Sequence, residues 1–476
     1  MKVNSKQHVW QPAMRKAAMA LTLVASLVFI SGCSDDDDDS PSTDEKTIVA
    51  IAQGNSNLSS LVTALTKYPD LVSTLSGNGN YTVFAPTNTA FTNLLTAIGQ
   101  QSLDDIPEDV LKNVLQYHVV TSGAVRSSEL KDGNVEAANG EDIAVTVTGG
   151  VKLNGATKVT TADVTASNGI VHVVDAVLVP PSVRPIVGTI VAPAYFNKNF
   201  TTLIAAVKAA DASIMTTLLG NGPSNKKLTL FAPTNAAFTA AGITTLPGKE
   251  TLSAVLAYHV IDDEVRAAEL PSGSATIPTL GGDFYLSNNG SAGVFINGTT
   301  KVTTTDILGS NGVVHVIDRT LMPPSKTIAG IASDLSTAGS PQFTQLVAAL
   351  ARTSGTETDL LAAVSNGDAN LTVFAPTDAA FAQLYEALEV DGVDDIPLAT
   401  LTAVLQHHVV AARVFSTDLK DGSVPTLNGN VTVSATNKTI TDGSGNVANL
   451  NTNAALLNVL ATNGVIHTID RVLIPD

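Results

Sequence analysis

The sequence predicts an α+β fold that is repeated three times along the 476 residues of the chain. One segment recurs almost unchanged, as NGIVHVVDAVLVPP, NGVVHVIDRTLMPP and NGVIHTIDRVLIPD, and each copy closes a unit that also contains a FAPT segment. Within each unit, apolar stripes at helical spacing come first and short strand-like runs follow, an order typical of α+β domains. We therefore expect three domains, at residues 44–181, 184–324 and 326–476, which we call modules 1, 2 and 3.

The composition excludes one class of partner. The chain carries 43 acidic residues against 26 lysines and arginines, which gives a formal net charge of −17. Because proteins bind nucleic acids by neutralising phosphates with lysine and arginine, we expect no nucleic-acid partner. Cys33 is the only cysteine, so no intramolecular disulfide can form and packing must stabilise the modules.

Residues 1–33 have the pattern of a bacterial lipoprotein signal peptide. A basic start without acidic residues precedes an apolar run over residues 17–30, which is short for a membrane span. The run ends in ISGC, which resembles the lipobox whose cysteine is lipidated. We expect lipidation at Cys33, and the alternative is an ordinary signal peptide with a chance cysteine. Since the lipoprotein modification adds several acyl chains, the mature protein would be anchored to a membrane rather than span it.

Residues 34–43 are predicted to form an acidic tether. Five consecutive aspartates, Asp35–Asp39, repel one another and cannot build a local core, so they favour a solvated, extended spacer. A second interpretation is a surface-export signal, because acid just after the lipidated cysteine resembles such signals in some bacterial lipoproteins. The run lacks the glycine turn and the closing glutamate of a calcium-binding loop.

The first half of module 1 is predicted to be mainly helical. Apolar residues at helical spacing predict helices over residues 47–52 and 58–68. Residues 81–85 predict a short strand that stops before a proline. Thr87 or Asn88 is then placed to cap the helix that follows.

The second half of module 1 begins with a helix and ends in strands. Pro107 fits the first position of a helix that runs to about Tyr117, and His118 closes the apolar stripe of this helix. Asn168 and Gly169 both tolerate positive φ and predict the tight turn of a hairpin. Short β-prone runs predict small antiparallel sheets, over residues 143–148, 151–153, 158–160 and 170–174.

Modules 2 and 3 repeat this order. The segment TVFAPTNTAF of module 1 returns as TLFAPTNAAF at residues 229–238 and as TVFAPTDAAF at residues 372–381. Module 3 carries a longer polar insert over residues 436–458. Proline-rich joints at residues 180–185 and 323–324 favour extended geometry, so we expect a string of three domains rather than one globule.

These repeats resemble the fasciclin family. The FAPT segments match the first family motif, the closing segments match the second, and a Tyr-His pair lies between them. The pair is Tyr117-His118 in module 1 and Tyr258-His259 in module 2, and it reads His407-His408 in module 3. The resemblance covers most of the chain. It implies three tandem fasciclin-like domains, each a wedge of two small β-sheets packed with a helix cluster.

The resemblance also implies a role and a set of contact residues. Fasciclin domains are similar to one another in being extracellular or surface adhesion modules, microbial members are linked to attachment and biofilm, and no reaction is typical of the family. In some animal members an Asp-Ile dipeptide and the Tyr-His pair are proposed for integrin contact. Carried over to this chain, the candidate partner-binding residues are Asp306, Ile307, Leu308, Tyr117, His118, Tyr258, His259 and His408. Asp163-Val164 is a weaker match to the dipeptide, and module 3 has no clear equivalent.

The repeated histidines and aspartates invite a catalytic or metal interpretation, and their spacing argues against it. His172 and Asp175 are three residues apart on a predicted strand, so their side chains point to opposite faces and cannot pair as a base and its orienting group. We expect these residues, and the buried histidines of the helix stripes, to be satisfied within the fold. The sequence predicts no catalytic residue, no metal site and no cofactor, and a hydrolase interpretation has no motif behind it.

The sequence therefore predicts a non-enzymatic adhesion or matrix-binding lipoprotein of the cell envelope. We expect it to be lipid-anchored in the outer membrane of a Gram-negative bacterium and displayed at the surface. The expected partner is an extracellular protein, a polysaccharide or a second copy of the chain, and weak contacts made in tandem would gain avidity. The alternative is a carrier of an apolar small ligand, such as a lipid or a carotenoid.

Overall fold

A computed structural model describes residues 46–453 and 455–476 of the chain. Residues 46–476 form one compact unit. The predicted signal peptide, the lipidation site at Cys33 and the acidic tether all lie outside the described residues.

Module 1 alternates helices and strands as its sequence order suggests. Its helices are α1 (Ile48–Gln53), α2 (Ser59–Thr66), α3 (Pro69–Ser76), α4 (Asn88–Ala97) and α5 (Glu108–Gln116). Its strands are β1 (Tyr81–Pro86), β2 (Val119–Val120), β3 (Gly133–Glu136), β4 (Asp142–Thr146), β5 (Lys152–Leu153), β6 (Thr157–Ala166) and β7 (Gly169–Val174).

Module 2 repeats this sequence of elements. Its helices are α6 (Ala192–Tyr195), α7 (Thr201–Ala209), α8 (Ala212–Leu219), α9 (Asn235–Ala240) and α10 (Lys249–Ala257). Its strands are β8 (Leu228–Pro233), β9 (Val260–Ile261), β10 (Gly273–Thr279), β11 (Gly282–Asn288), β12 (Val294–Ile296), β13 (Thr300–Gly309) and β14 (Gly312–Ile317).

Module 3 follows the same plan with one strand more. Its helices are α11 (Ile328–Thr337), α12 (Thr344–Arg352), α13 (Leu360–Ser365), α14 (Asp378–Leu388) and α15 (Leu398–His407). Its strands are β15 (Leu371–Pro376), β16 (Val409–Val410), β17 (Gly422–Pro425), β18 (Asn430–Ser434), β19 (Thr439–Thr441), β20 (Val447–Asn449), β21 (Val459–Ala461) and β22 (Gly464–Ile469).

Local sequence explains where the helices begin. Thr87 caps α4 because its hydroxyl accepts a hydrogen bond from the amide of Ala90 at 3.2 Å, which confirms one of the two predicted caps. Pro107 precedes α5 rather than opening it, since its ψ of 139° is extended. Helix α3 was not predicted by the apolar pattern, and Pro69 opens it with a fixed φ that suits a first helical turn.

The sheets confirm the α+β class. The strand order is β2-β1-β7-β6-β5-β4-β3 in module 1, and module 2 has the equivalent order. The long strands β6 and β13 each pair with a neighbour in both halves of the sheet, so the two small sheets expected in each module are joined through one strand. In module 3 the polar insert separates the halves into two four-stranded sheets.

The expectation of purely antiparallel sheets is wrong at the centre of each module. Strand β1 pairs in parallel with β7, with Tyr81 opposite Gly169, and the pairs β8–β14 and β15–β22 repeat this register. Parallel pairing needs a long crossover, which the helices and strands between the two members provide. Every residue of β7, β14 and β22 is buried, so the repeated closing segments form the middle of the fold.

The predicted hairpin turn lies one residue earlier than expected. Ala166 pairs with Gly169, so the two loop residues are Ser167 and Asn168. Gly169 is required for a different reason, because its φ is +153° and an added Cβ would lie 2.2 Å from the carbonyl oxygen of Tyr81.

Asn168 fastens this hairpin to the helices. Its side-chain oxygen accepts a hydrogen bond from the amide of Ile48 at 2.9 Å, and its side-chain nitrogen donates to the carbonyl of Leu75 at 2.8 Å. Asn311 and Asn463 make the equivalent bonds in the other modules. The repeated asparagine is therefore a structural cross-link between the start and the end of each module.

The buried apolar side chains show that the modules are not independent beads. In each module, helices pack on one face of the central strands, and a second, smaller core lies between the sheet halves. The helix-side cores of modules 1 and 2 form one continuous cluster, whereas that of module 3 is separate. Successive modules contact each other directly, and residues 46–476 form one compact unit instead of the expected string of domains on extended joints.

Candidate functional site

Asp306, the first candidate contact residue, lies at a bulge where the pairing register of β13 with β14 shifts. Its φ is +61°, and its carboxylate accepts a hydrogen bond from the amide of Ala267 at 2.9 Å. Its own amide donates to Nδ1 of His315 at 3.3 Å, and Nε2 of this ring lies 2.9 Å from the carbonyl oxygen of Val265. Because Nδ1 accepts, the proton of the neutral ring sits on Nε2. Both nitrogens are engaged by backbone.

The same arrangement occurs in all three modules. Asp163 in module 1 and Asn458 in module 3 have φ values of 60° and 58°, and each donates its amide to a histidine nine residues later. Sequence reasoning found no clear equivalent in module 3 because asparagine replaces aspartate there. The constant spacing of nine residues between this position and the repeated histidine would have identified Asn458 as the equivalent residue.

The surroundings of the bulge differ between the modules. Asp306 is exposed and Leu308 is 57% exposed, whereas Ile307 is half-buried and faces Gly99 of module 1. Asn458 is buried because module 2 covers it, and its side-chain nitrogen donates to the carbonyl of Gly298 at 2.9 Å. Asp306 and Leu308 are thus the predicted contact residues that lie at the surface.

The Tyr-His pairs lie inside the fold. Tyr117 and Tyr258 are fully buried, and their hydroxyls donate to the carbonyl oxygens of Asp142 and Asp283. Nδ1 of His118 lies 2.7 Å from the carbonyl oxygen of Val114, one turn earlier in the same helix. These positions leave no surface for a partner.

The three buried histidines share one protonation state. Nε2 accepts an amide hydrogen bond in each of His118, His259 and His408, at 2.8, 3.0 and 2.9 Å. Burial lowers the pKa of each ring from 6.5 to about 4, because the charged form loses its hydration. The rings are therefore neutral structural links between the helix end and the segment that follows the closing strand.

The repeated aspartates of the closing segments are engaged by backbone too. Asp175 accepts a hydrogen bond from the amide of Lys158 at 2.7 Å, and Asp318 and Asp470 make the equivalent bonds. Asp175 therefore holds β6 and does not orient His172. Among the described residues, no group of three or more histidine, cysteine, aspartate or glutamate side chains could hold a metal ion.

The interior of module 3 contains a small apolar cavity. It measures about 20 Å³ and is lined by residues that include Ile328, Phe343 and Leu405. This is room for about one water molecule. A lipid or carotenoid does not fit there in this conformation.

Polar and aromatic residues form the junction between modules 2 and 3. The guanidinium of Arg413 lies 4.1 Å from the centre of the Tyr285 ring, and the ring of Phe415 lies 5.8 Å from it. Asp418 accepts a hydrogen bond from the hydroxyl of Ser287 at 2.9 Å. Sequence reasoning missed this cluster, which we call the 2–3 junction.

The 2–3 junction is built where module 3 departs from the repeat. Module 1 has Arg126 and Glu129 at the positions of Phe415 and Asp418, and Glu129 accepts a hydrogen bond from the amide of Arg126 at 2.7 Å. Module 2 repeats this local bond. The side chain of Asp418 is one methylene shorter than that of glutamate, and its carboxylate accepts a hydrogen bond from Ser287 of module 2 instead. An alignment of the three copies would have shown the departure.

Modules 1 and 2 meet differently, at what we call the 1–2 junction. Gln100 is buried, and its side chain donates to the carbonyl of Pro193 at 3.0 Å and accepts from Asn197 at 3.1 Å. The amide of Lys198 donates to the carbonyl of Asp105 at 2.7 Å. A groove of about 480 Å³ follows this junction and is lined by residues that include Tyr68, Glu108 and Lys198.

Comparison with known proteins identifies the family. The sequence profile of the fasciclin domain matches residues 56–180, 198–323 and 341–475. The chain belongs to the fasciclin domain family. The three matches coincide with the three repeats of helices and strands, so the fasciclin fold explains the bulge, the buried Tyr-His pairs and the asparagine cross-link as one recurring design.

Individual fasciclin-domain proteins resemble the chain over different lengths. Transforming growth factor-beta-induced protein ig-h3 of the pig, Sus scrofa, is 28% identical over 84% of this chain and 54% of its own length, so the chain spans about half of that protein. Cell surface glycolipoprotein MPB83 of Mycobacterium bovis is 38% identical over 28% of this chain and 61% of its own. A solved FAS1 domain pair from the insect cell adhesion molecule Fasciclin I is 19% identical, with a TM-score of 0.27, over 58% of this chain and 97% of that structure.

Within the described residues, no helix combines the length and the apolar character that a bilayer crossing requires. The predicted anchor at Cys33 lies outside these residues.

Proposed function

We propose that the protein is a non-enzymatic adhesion lipoprotein that holds three fasciclin domains at the cell surface. Lipidation at Cys33 would anchor it to the outer membrane, and the acidic tether would hold the domains away from that membrane. The partner would be an extracellular protein or polysaccharide. The observation that carries this proposal is that the fasciclin domain occurs three times in tandem. The resemblance to this family implies an adhesive role.

Two further observations support the proposal. The histidines and aspartates that recur in the repeats, which are the side chains that first suggested a catalytic site, are engaged by backbone in each module. A relative, MPB83, is a cell surface glycolipoprotein by name. Within the described residues, Asp306 and Leu308 offer an exposed pair beside a rigid bulge, and we propose them as part of the contact surface.

Attachment of beads coated with the purified chain tests the proposal. We expect saturable binding to the producing cells or to their purified extracellular polysaccharide, competed by soluble protein. Leu308→Asp should weaken attachment about tenfold, because it places a charge on the proposed apolar contact. Val447→Asp is the matched control, since Val447 is an apolar residue of similar exposure in another module. Equal attachment by both variants would remove Leu308 from the surface, and no attachment by the parent chain would contradict adhesion.

Two other measurements address the remaining parts of the proposal. Cys33→Ser should release the protein from the membrane fraction, and retention there would contradict the lipid anchor. Native mass spectrometry after mild purification should show the mass of the chain alone. A stoichiometric apolar ligand would instead support the carrier alternative.

A further inference from the structure

Strand β10 forms the outer edge of the module 2 sheet. It has seven residues, whereas the equivalent edge strands β3 and β17 of modules 1 and 3 have four each. An edge strand presents backbone groups that can pair with another chain. The length of β10 gives it more of these groups than its two counterparts have.

The register of the hairpin shows which groups face outward. Thr276 pairs with Tyr285, but the amide and carbonyl of Tyr285 are both engaged by Asn297, on the β12 side, at 2.9 and 2.7 Å. Neighbouring pairs of an antiparallel ladder alternate between bonded and non-bonded. The backbone groups of Thr276, and of Ser274 two residues earlier, therefore point to the open side. Pro278 adds an outward carbonyl and no amide hydrogen.

The other two modules protect this edge with charge. Lys131-Asp132 precede β3 and Lys420-Asp421 precede β17, and each aspartate accepts an amide hydrogen bond at 2.7 Å. Module 2 has Pro271-Ser272 at these positions, and no charged residue occurs from 271 to 282. Charges, proline and short length are the usual ways to prevent pairing at an edge. Of these, β10 has only Pro278, near its end, so Ser274 and Thr276 remain available.

A cleft of about 140 Å³ lies beside this edge, between β10 and module 3. Thr276, Tyr285 and Phe415 contribute a hydroxyl and two rings to its lining. Asp418 and Arg413 also line it, so their charges offset each other and the cleft favours neither a cationic nor an anionic side chain. One carboxylate oxygen of Asp418 is buried and has no hydrogen-bond donor within the described residues. The cleft therefore suits an uncharged side chain that donates a hydrogen bond, such as threonine, serine, asparagine or glutamine.

We propose that the edge of β10 binds an extended, uncharged segment of a partner polypeptide by strand addition. Backbone hydrogen bonds to Ser274 and Thr276 would hold the segment, and the cleft would receive its alternate polar side chains. The inference rests on the proposed adhesive function and names the class of partner. Module 3 would contribute to specificity because it completes the cleft.

A peptide-binding experiment with matched proline variants tests this inference. The probe is a fluorescent heptapeptide of alternating threonine and valine, titrated against the full chain. Thr276→Pro should weaken binding about tenfold, since it removes an outward donor and no bond of the existing ladder. Asn134→Pro is the control, because Asn134 of β3 also faces outward: it pairs with Ala144, whose carbonyl is taken by Asn154 on the other side. We expect no change in that control.

The possible outcomes separate the explanations. Equal binding by both variants, or no binding by the parent chain, would overturn the inference, provided that circular dichroism shows both variants folded. Probes with lysine or aspartate in place of threonine should bind more weakly, and equal binding would contradict the role of the cleft. Dimers in sedimentation velocity that Thr276→Pro abolishes would assign the edge to a second copy and overturn the partner class. If the parent chain binds the peptide but beads coated with it do not attach, only the proposed adhesive function would be overturned.

Discussion

The two junctions between modules are built on different principles. The 1–2 junction continues one apolar core across two modules and adds bonds between neutral amide and backbone groups around Gln100. The 2–3 junction leaves the apolar cores separate and joins them through Arg413, Asp418 and aromatic rings. Repeats of one fold can thus be joined either by burial of apolar side chains or by specific polar contacts. A junction of the polar kind should respond to pH and to single substitutions more strongly than an apolar one.

The largest expected difference between the junctions is their response to acid. His467 accepts a hydrogen bond from the amide of Asn458, which anchors module 2 through Gly298. Burial lowers the pKa of His467 from 6.5 to about 4. The stability from the neutral ring is complete above pH 6.5 and is lost as the pH falls toward 4, a change of about 3 kcal/mol.

Hydrogen exchange, corrected for the intrinsic rate at each pH, measures this difference. Segments 289–298 and 411–419 of the 2–3 junction should lose protection at a higher pH than segments 98–105 and 190–198 of the 1–2 junction. The buried His118, His259 and His408 weaken all three modules in the same pH range, so that loss is common to both junctions. His467 adds a further loss at the 2–3 junction alone, because none of the groups bonded around Gln100 titrates. Simultaneous loss at both junctions would contradict the comparison.

The next largest effect is expected from a methyl group at Gly298. A Cβ there would lie 2.8 Å from both Phe415 and Asn458, and φ is +67°. Gly155 occupies the equivalent position in module 1, with φ of +79° and nothing within 4 Å of an added Cβ. In both alanine variants, backbone strain should lower the free energy of unfolding by about 1 kcal/mol. Gly298→Ala should lose about 1–3 kcal/mol more from the clash, measured by calorimetry, and equal losses would show that the junction yields.

A smaller effect is expected when the shape of one cation changes. Arg413 stacks on Tyr285 and also donates to the carbonyl oxygens of Ala461 and Thr462. Lysine keeps the charge but loses the planar fork, so Arg413→Lys should destabilise modules 2 and 3 by about 1–2 kcal/mol. Denaturant unfolding checks this, with Arg471→Lys on an exposed arginine as the control. A loss no larger than the control's would mean that charge alone matters.

The smallest expected effect concerns the 1–2 junction. Gln100→Ala leaves the carbonyl of Pro193 and the side-chain amide of Asn197 without their partner. We expect the free energy of unfolding to fall by about 1 kcal/mol. The continuous apolar core should keep modules 1 and 2 together, so they should still unfold in one transition. Two separate calorimetric transitions would show that Gln100, and not the core, couples them.

Sequence reasoning reached the parts of the fold that local pattern controls. The helix stripes, the cap at Thr87 and the existence of the closing strand are properties of neighbouring residues, and the structure confirms them. It placed the turn one residue too late, because Gly169 has a turn-like preference while its actual role is to let β1 pass closely. It missed the parallel pairing of β1 with β7, which no local pattern contains.

The candidate site divides in the same way. Asp306 and Leu308 were chosen from motifs and lie at the surface. The Tyr-His pairs were chosen from the same motifs and lie in the interior, because the register of long-range pairing determines burial. Arg413, Phe415 and Asp418 carry no motif, and their role exists only because module 2 reaches them.

The sequence by itself determined the family, the number of modules and the order of helices and strands. Those features follow from periodicity, capping and repetition, which act over a few residues or a whole repeat. Only the tertiary structure decided which repeated polar groups are buried, which edge strand is left open and how the modules join. Burial and pairing depend on contacts between residues far apart in the chain, and the carboxylate of Asp418 bonds to Ser287 because module 2 lies within its reach.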